Sequence, residues 1–363
     1  MSRTLFRYVA LTFFSTLVSV TLGAVVMFLV ADFSDRASLF LNFAARDVAA
    51  MYADKALLCV VQVLPITLLL ATTLTVTSLQ RRGELTALLT LGRGPVSLYA
   101  PIGACVLVAC AGAVAWDEYV AGPAGLRVDI RSTTTFRSGW GDWYTYYRAK
   151  EWFHRGDYFL RLEGGDARNG FSGVLVLQMN PTFGVARRID AELLIPAGGT
   201  RWAAKRATVR TFEGGTRVER ADSLELDVGL SADDLDIRPG RPEHLSFESL
   251  DQQIASRARV ALPTRAHRLA WHQRIAWPLI AASAALLILG VSLRRGRRAS
   301  MTIALGETGA AALMVWAAML TARTLVFAGH TAPALAVWGV AGFFAATAAA
   351  VCVYRVGRLG SLG

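Results

Sequence analysis

Lysine is nearly absent: the chain of 363 residues has three, Lys55, Lys150 and Lys205. They follow Asp54, Ala149 and Ala204, so the Gly-Lys pair of a phosphate-binding loop does not occur. The chain therefore cannot hydrolyse ATP by that mechanism. Charge of either sign is scarce. Charged residues make up 18% of the chain, against about 25% in an average soluble domain. Hydrophobic residues make up 54%, and the mean hydropathy is +0.40. This excludes a fully soluble enzyme and a disordered chain alike, and points to a membrane protein. Cysteine is limited to Cys59, Cys105, Cys110 and Cys352, all in apolar runs. The hydrophilic middle has none and so no disulfide; the four read as small apolar core residues. The five histidines lack metal-ligand spacing. His267 and His272 are five apart, whereas residues three or four apart share a helix face. There is no Gly-x-Ser-x-Gly elbow, and the Asp233-Asp234 pair stands in a turn-like, solvated stretch. Nothing argues for catalysis, and no cofactor or metal is expected.

The net charge of +11 suggests a nucleic-acid partner until it is counted by region. Residues 1–116 carry 8 basic and 5 acidic groups, residues 117–270 carry 22 and 21, and residues 271–363 carry 8 and 1. The hydrophilic middle is nearly neutral, which excludes nucleic-acid binding there. The excess belongs to the apolar regions.

Val9–Ala31 is 23 residues without a charge. At about 1.5 Å per residue it crosses an apolar core of about 30 Å. Ala56–Leu79, Pro95–Trp116, Ile275–Leu293, Met301–Phe327 and Ala332–Tyr354 complete six apolar runs. The first is too long for a signal peptide and no small-residue cleavage site closes it, so a retained span is expected. One set of span ends holds Arg3, Arg7, Arg81, Arg82, Arg93, Arg294, Arg295, Arg297, Arg298, Arg355 and Arg358 against Glu84 alone. Cytoplasmic ends carry such an excess. Both termini are therefore expected in the cytoplasm, and the segment 117–270 outside.

Within that segment short stretches alternate in polarity: Tyr158–Leu162, Gly173–Met179, Ile189–Ile195, Trp202–Phe212 and Thr216–Val228. Gly164-Gly165, Asn180-Pro181, Gly198-Gly199 and Gly214-Gly215 separate them as turns. The pattern predicts an all-β sandwich or jelly roll. Phe159, Val174, Val176, Ile189, Leu193 and Val209 are the candidate inward residues. The plain reading is an ordinary packed β core. Leu245–Ala261 is expected as a helix with Ser246 as N-cap.

The second cytoplasmic segment, about 81–92, is too patterned for a plain loop. Leu85, Leu88, Leu89 and Leu91 form an apolar helical stripe. Glu84 sits in the first turn, where the helix dipole favours an acid. Gly92 is a natural C-terminal stop, and Pro95 starts the next span. One reading is a helix resting on lipid. The other is a coupling helix seated in a groove of a separate ATPase subunit.

At these residues the sequence resembles the lipopolysaccharide export permeases LptF and LptG. The Glu84-Leu85-Thr86-Ala87-Leu88 pattern followed by Gly92, and Pro65 within the second span, are similar to that family. So are the entry Asp117-Glu118-Tyr119-Val120-Ala121-Gly122-Pro123 and the exit Pro242-Glu243-His244-Leu245-Ser246. The fourth-span start His272-Gln273-Arg274-Ile275-Ala276-Trp277-Pro278-Leu279 looks like its basic-Ile-x-x-Pro-Leu signature. The resemblance covers essentially the whole chain. Ala31-Asp32-Phe33-Ser34-Asp35 leans toward LptG; the single Pro333 before the last span departs from the family, which often has two.

The resemblance implies a half-transporter of the bacterial inner membrane. Residues 1–116 would form three spans with the coupling helix, 117–270 a periplasmic jellyroll-like domain, and 271–363 three further spans. Two permeases would pair, LptF with LptG, over a cytoplasmic ABC ATPase dimer contacted through Glu84, Leu85, Leu88, Leu89 and Gly92. They would extract lipopolysaccharide and pass it to a membrane-anchored periplasmic bridge of LptC/LptA type. A lipid path would run along Phe159, Val174, Val176, Ile189, Leu193 and Val209, as an alternative to a packed core, and past Arg36, the cation nearest in sequence to Asp32 and Asp35. Arg323 lies near the outer end of the fifth span, where an ionisable group is costly and a functional candidate. It either snorkels to headgroups or forms a bidentate contact with a lipid phosphate.

Three rival classes fit less well. Lipoprotein-release permeases usually have four spans with the large domain after the first. A sensor should carry a cytoplasmic output domain, where nine residues follow Tyr354. A membrane-embedded enzyme would want facing ionisable residues in its spans, and only Glu307, Arg323 and Arg274 lie near them.

Overall fold

The apolar runs fold as helices because no water competes for their backbone groups within a bilayer. A computed structural model describes residues 3–41, 43–84, 87, 96–134, 152–167, 169–212, 215–235, 241–260, 262–292 and 300–360. Helices α1 (Arg3–Phe40), α2 (Ala45–Arg81) and α3 (Val96–Trp116) come first. A π-helical turn, Asp117–Ala121, leads directly into α4 (Gly122–Thr134). After the sheet come α5 (Ala232–Leu235), α6 (Phe247–Arg259), α7 (Arg265–Ser292), α8 (Met301–Phe327) and α9 (Pro333–Gly360). Among the described residues six helices are long and apolar enough to cross a membrane. The third continues to Ser132, through the acidic entry motif rather than stopping before it. This is the architecture read from the sequence, six spans with an all-β insert between the third and fourth.

The chain divides into two compact units, residues 1–128 with 268–363, and residues 129–267. In the first, α2 and α7 are the central spans, with half or more of their apolar windows buried, 50% and 61%. Phe13, Leu68, Ile102, Val106 and Ala285 form one core, and Leu69, Ile280, Val315, Val337 and Phe344 another. Pro65 inside α2 and Pro278 inside α7 leave both helices continuous.

The second unit holds one antiparallel sheet. Its strands are β1 (Trp152–Arg155), β2 (Tyr158–Arg161), β3 (Gly164–Asp166), β4 (Gly170–Met179), β5 (Val185–Gly198), β6 (Arg201–Thr211) and β7 (Arg217–Asp227). The order is β1-β2-β4-β5-β6-β7, with β3 beside β4. One row interrupts the strict alternation of period two. Core positions run Phe171 then Val174 and Val176 in β4, Ala191 then Leu194 in β5, and Ala204 then Ala207 in β6. The skipped row falls between the pairs Val174↔Ala191 and Ser172↔Leu193, and between Ala191↔Ala207 and Leu193↔Lys205, with no slip of register. Gly173 and Arg206 there have φ of 62° and 48°, and Arg206 pairs with Glu192 at 2.5 Å. Neighbouring strands step out of the alternation at the same row, so their pairing is kept. Glycine is needed at 173: a Cβ would lie 2.6 Å from a Glu163 carboxylate oxygen, in a backbone conformation that side chains disfavour.

Val174, Val176, Ile189 and Val209 are buried in this core, around Trp202, whose Nε1 donates to the Leu230 carbonyl at 2.7 Å. Phe159 and Leu193 are half-buried instead; Leu160 and Leu194 take the core positions. Counting by twos from Ile189 reaches Leu193, but the skipped row moves the inward position to Leu194. Phe159 packs its ring on His154, centroids 4.4 Å apart. Ser246 caps α6 as expected, its hydroxyl accepting from the Ser249 amide at 3.2 Å.

Candidate functional site

The end of α2 at Arg81 builds the first candidate site. The helix stops at Arg81; Arg82 stays near helical geometry and Gly83 takes φ 74°. A new turn begins there, with the Ala87 amide donating to the Gly83 carbonyl at 3.0 Å. Leu85, Leu88, Leu89 and Gly92 lie outside the described residues. Glu84 accepts from the Tyr8 hydroxyl at 3.0 Å, and Arg82 Nη1 stands 3.4 Å from that hydroxyl and 4.0 Å from the Glu84 carboxylate. Deeper in the bundle, Gln80 donates to the Ser292 carbonyl at 2.8 Å, and Thr73 and Thr308 share a buried hydroxyl contact of 2.6 Å. The second span is thereby tied by polar contacts to α7 and α8, just behind the patterned segment.

Among the described residues, three ionic clusters join the spans. Asp32 of α1 accepts from Lys55 Nζ at 2.5 Å and from the Tyr52 hydroxyl at 2.9 Å, with Arg36 Nε at 3.4 Å. Asp54 of α2 accepts two bonds from Arg127 on one oxygen, at 2.9 and 2.6 Å. Arg274 of α7, its side chain 3% exposed, donates to Asp117 at 2.7 Å and Glu118 at 2.8 Å. The last cluster explains the π-helical turn. Its wider winding, rare and frequent at functional sites, brings two consecutive carboxylates to one guanidinium. Charges buried this deeply persist only when paired and hydrogen-bonded.

Several of these partners are not visible in the sequence. Arg36 is the nearest cation to Asp32 along the chain; in space the closest is Lys55, one of three lysines, reached across the α1–α2 contact. The pair of Asp54 and Arg127 escapes sequence reasoning for the same reason. The uncharged runs stop short of all of them; only the longer helices of the structure place Asp32, Asp54, Lys55 and Arg127 within the spanning segments, where an ionisable group needs a partner. Arg323 itself is exposed on α8, its guanidinium 5.5 Å from the centroid of the Phe327 ring. It faces away from the core of its own unit. The inward residues Val174, Val176, Ile189 and Val209 pack with Trp202 and Leu230 as a hydrophobic core.

A family model described as "Lipopolysaccharide export system permease LptF/LptG" matches residues 7–354 of the chain. Among curated proteins none matches it.

Proposed function

The chain belongs to the family of lipopolysaccharide export permeases LptF/LptG, and from that premise we propose that it is one of two paired permeases that lift lipopolysaccharide out of the bacterial inner membrane. A cytoplasmic ABC ATPase dimer drives the pair through the segment from Glu84 to Gly92. The segment 117–270 faces the periplasm and passes the lipid to a membrane-anchored bridge protein. The observation that carries this reading is the family match over nearly the whole chain, on a bundle of six spans whose sheet is inserted after the third. The arginine bias of one set of span ends supports the orientation, with both termini in the cytoplasm. Purification in mild detergent, followed by identification of every bound protein and lipid, tests it. A second permease, the ATPase, the bridge and lipopolysaccharide should all be recovered; recovery of the chain alone with bulk phospholipid would contradict it.

Arg323 points away from its own core, so a lipid phosphate held there would sit between this chain and its partner permease. A planar guanidinium gives a bidentate contact that an ammonium cannot reproduce. Lipid extraction should therefore fall in the order Arg323→Lys, Arg323→Ala, Arg323→Glu, with Ala costing about ten- to a hundredfold, the worth of a hydrogen bond to a charged group. Equal extraction by wild type and Arg323→Ala, at equal membrane abundance, would leave only snorkelling.

A further inference from the structure

Helix α1 meets the cytoplasmic turn through a polar contact, and that contact uses the acid assigned to ATPase docking. Arg82 Nη1, the Tyr8 hydroxyl and Glu84 Oε1 form a chain of 3.4 and 3.0 Å across 76 positions of sequence. The left-handed φ of Gly83 turns Glu84 back toward α1. A phenol can donate to a carboxylate while accepting from a guanidinium, so both charged groups of the turn meet on a single oxygen of α1. Behind Tyr8, Val9, Phe13 and Leu17 are buried with Leu68, Val76 and Ile102. Farther along, Val18, Leu22, Val26 and Met27 are exposed. At its other end α1 is bound to α2 again, through Asp32 and Lys55. The helix is thus a beam fastened at both ends, with an apolar face left open between them. Whatever shifts the turn at Arg82–Glu84 shifts the inner end of that beam.

We propose that Tyr8 is a positioning residue that couples the ATPase-docking turn to α1, so that movement of Glu84 becomes movement of the exposed face of the first span. This rests on the reading of Glu84–Gly92 as the ATPase contact. The relay needs only the hydroxyl. Tyr8→Phe deletes that oxygen and keeps the ring that packs at the helix surface.

The test uses the complete transporter reconstituted in vesicles with lipopolysaccharide. ATPase retained on purification, ATP hydrolysed and lipid released per ATP are measured for Tyr8→Phe, Glu84→Gln, both together, and Leu88→Asp. Tyr8→Phe should keep the ATPase and hydrolyse ATP within about twofold of wild type. Its lipid released per ATP should fall about three- to tenfold, the worth of an ordinary net hydrogen bond, since the contact is exposed. The double variant should release no less lipid per ATP than Glu84→Gln alone, because the two groups act as one unit. Wild-type lipid per ATP in Tyr8→Phe would overturn the relay. So would loss of the ATPase from Tyr8→Phe, which would place Tyr8 in the docking surface itself. Leu88→Asp separates the relay from its premise. If it releases the ATPase while Tyr8→Phe exports normally, the relay alone fails; if it retains the ATPase, the docking reading fails and the relay with it.

Discussion

Replacing Arg274 with leucine is expected to make the membrane bundle unfold far more readily. The substitution takes the Arg274 guanidinium away from Asp117 and Glu118, two consecutive carboxylates that it pairs. Removing one member of a buried ion pair costs about 3–5 kcal/mol, because the remaining charge stays desolvated. The midpoint of thermal unfolding in detergent, and the abundance in membranes, should both fall sharply. Arg274→Lys should fall between, since an ammonium reaches two carboxylates without the planar fork. Replacing all three groups by apolar residues should recover most of the stability, as apolar replacements of buried ion pairs often do. A wild-type midpoint for Arg274→Leu would show that the cluster is not a structural joint between α7 and the π-helical turn.

Leu88→Asp is expected to release the ATPase. A leucine seated in a partner groove contributes about 1.5–3 kcal/mol through burial alone. At about 1.4 kcal/mol per tenfold, that weakens docking by one to two orders of magnitude. An unpaired carboxylate in the same groove adds a desolvation cost. The ATPase should be lost on purification and ATP-driven export with it, while the permease itself stays in the membrane. Thr86→Asp, off the stripe, should retain the ATPase. Co-purification of the ATPase with Leu88→Asp at wild-type yield would return the segment to a helix resting on lipid.

What is legible in the sequence is what repeats locally. Long apolar runs mark the six spans, and turn glycines with alternating polarity mark the longer strands. Ser246 marks the start of α6. The short edge strand Trp152–Arg155 carries no alternation long enough to notice. Periodicity fails where geometry departs from it: at the row of Gly173 and Arg206, which moves the inward position from Leu193 to Leu194. Nor can it supply partners distant in sequence. The entry motif Asp117-Glu118 and the fourth-span motif around Arg274 both stand out along the chain, yet their union across 157 and 156 positions is a property of the fold. In the sequence Lys55 is notable only for lacking a preceding glycine; in the fold it is the closest cation to Asp32. The polar joints of the bundle are thus present as single unexplained residues, and packing makes them pairs.

The central claim is that this permease turns ATP hydrolysis by a partner into removal of lipopolysaccharide from the membrane. Transfer measured in a reconstituted system tests it most directly. Vesicles holding this chain, its partner permease, the ATPase and the bridge are loaded with lipopolysaccharide, and a soluble lipid acceptor carrying a photocrosslinker is added outside. The account predicts acceptor labelled with lipopolysaccharide only when ATP is present, and none when this chain is omitted. Labelling independent of ATP, or unchanged without this chain, would contradict it.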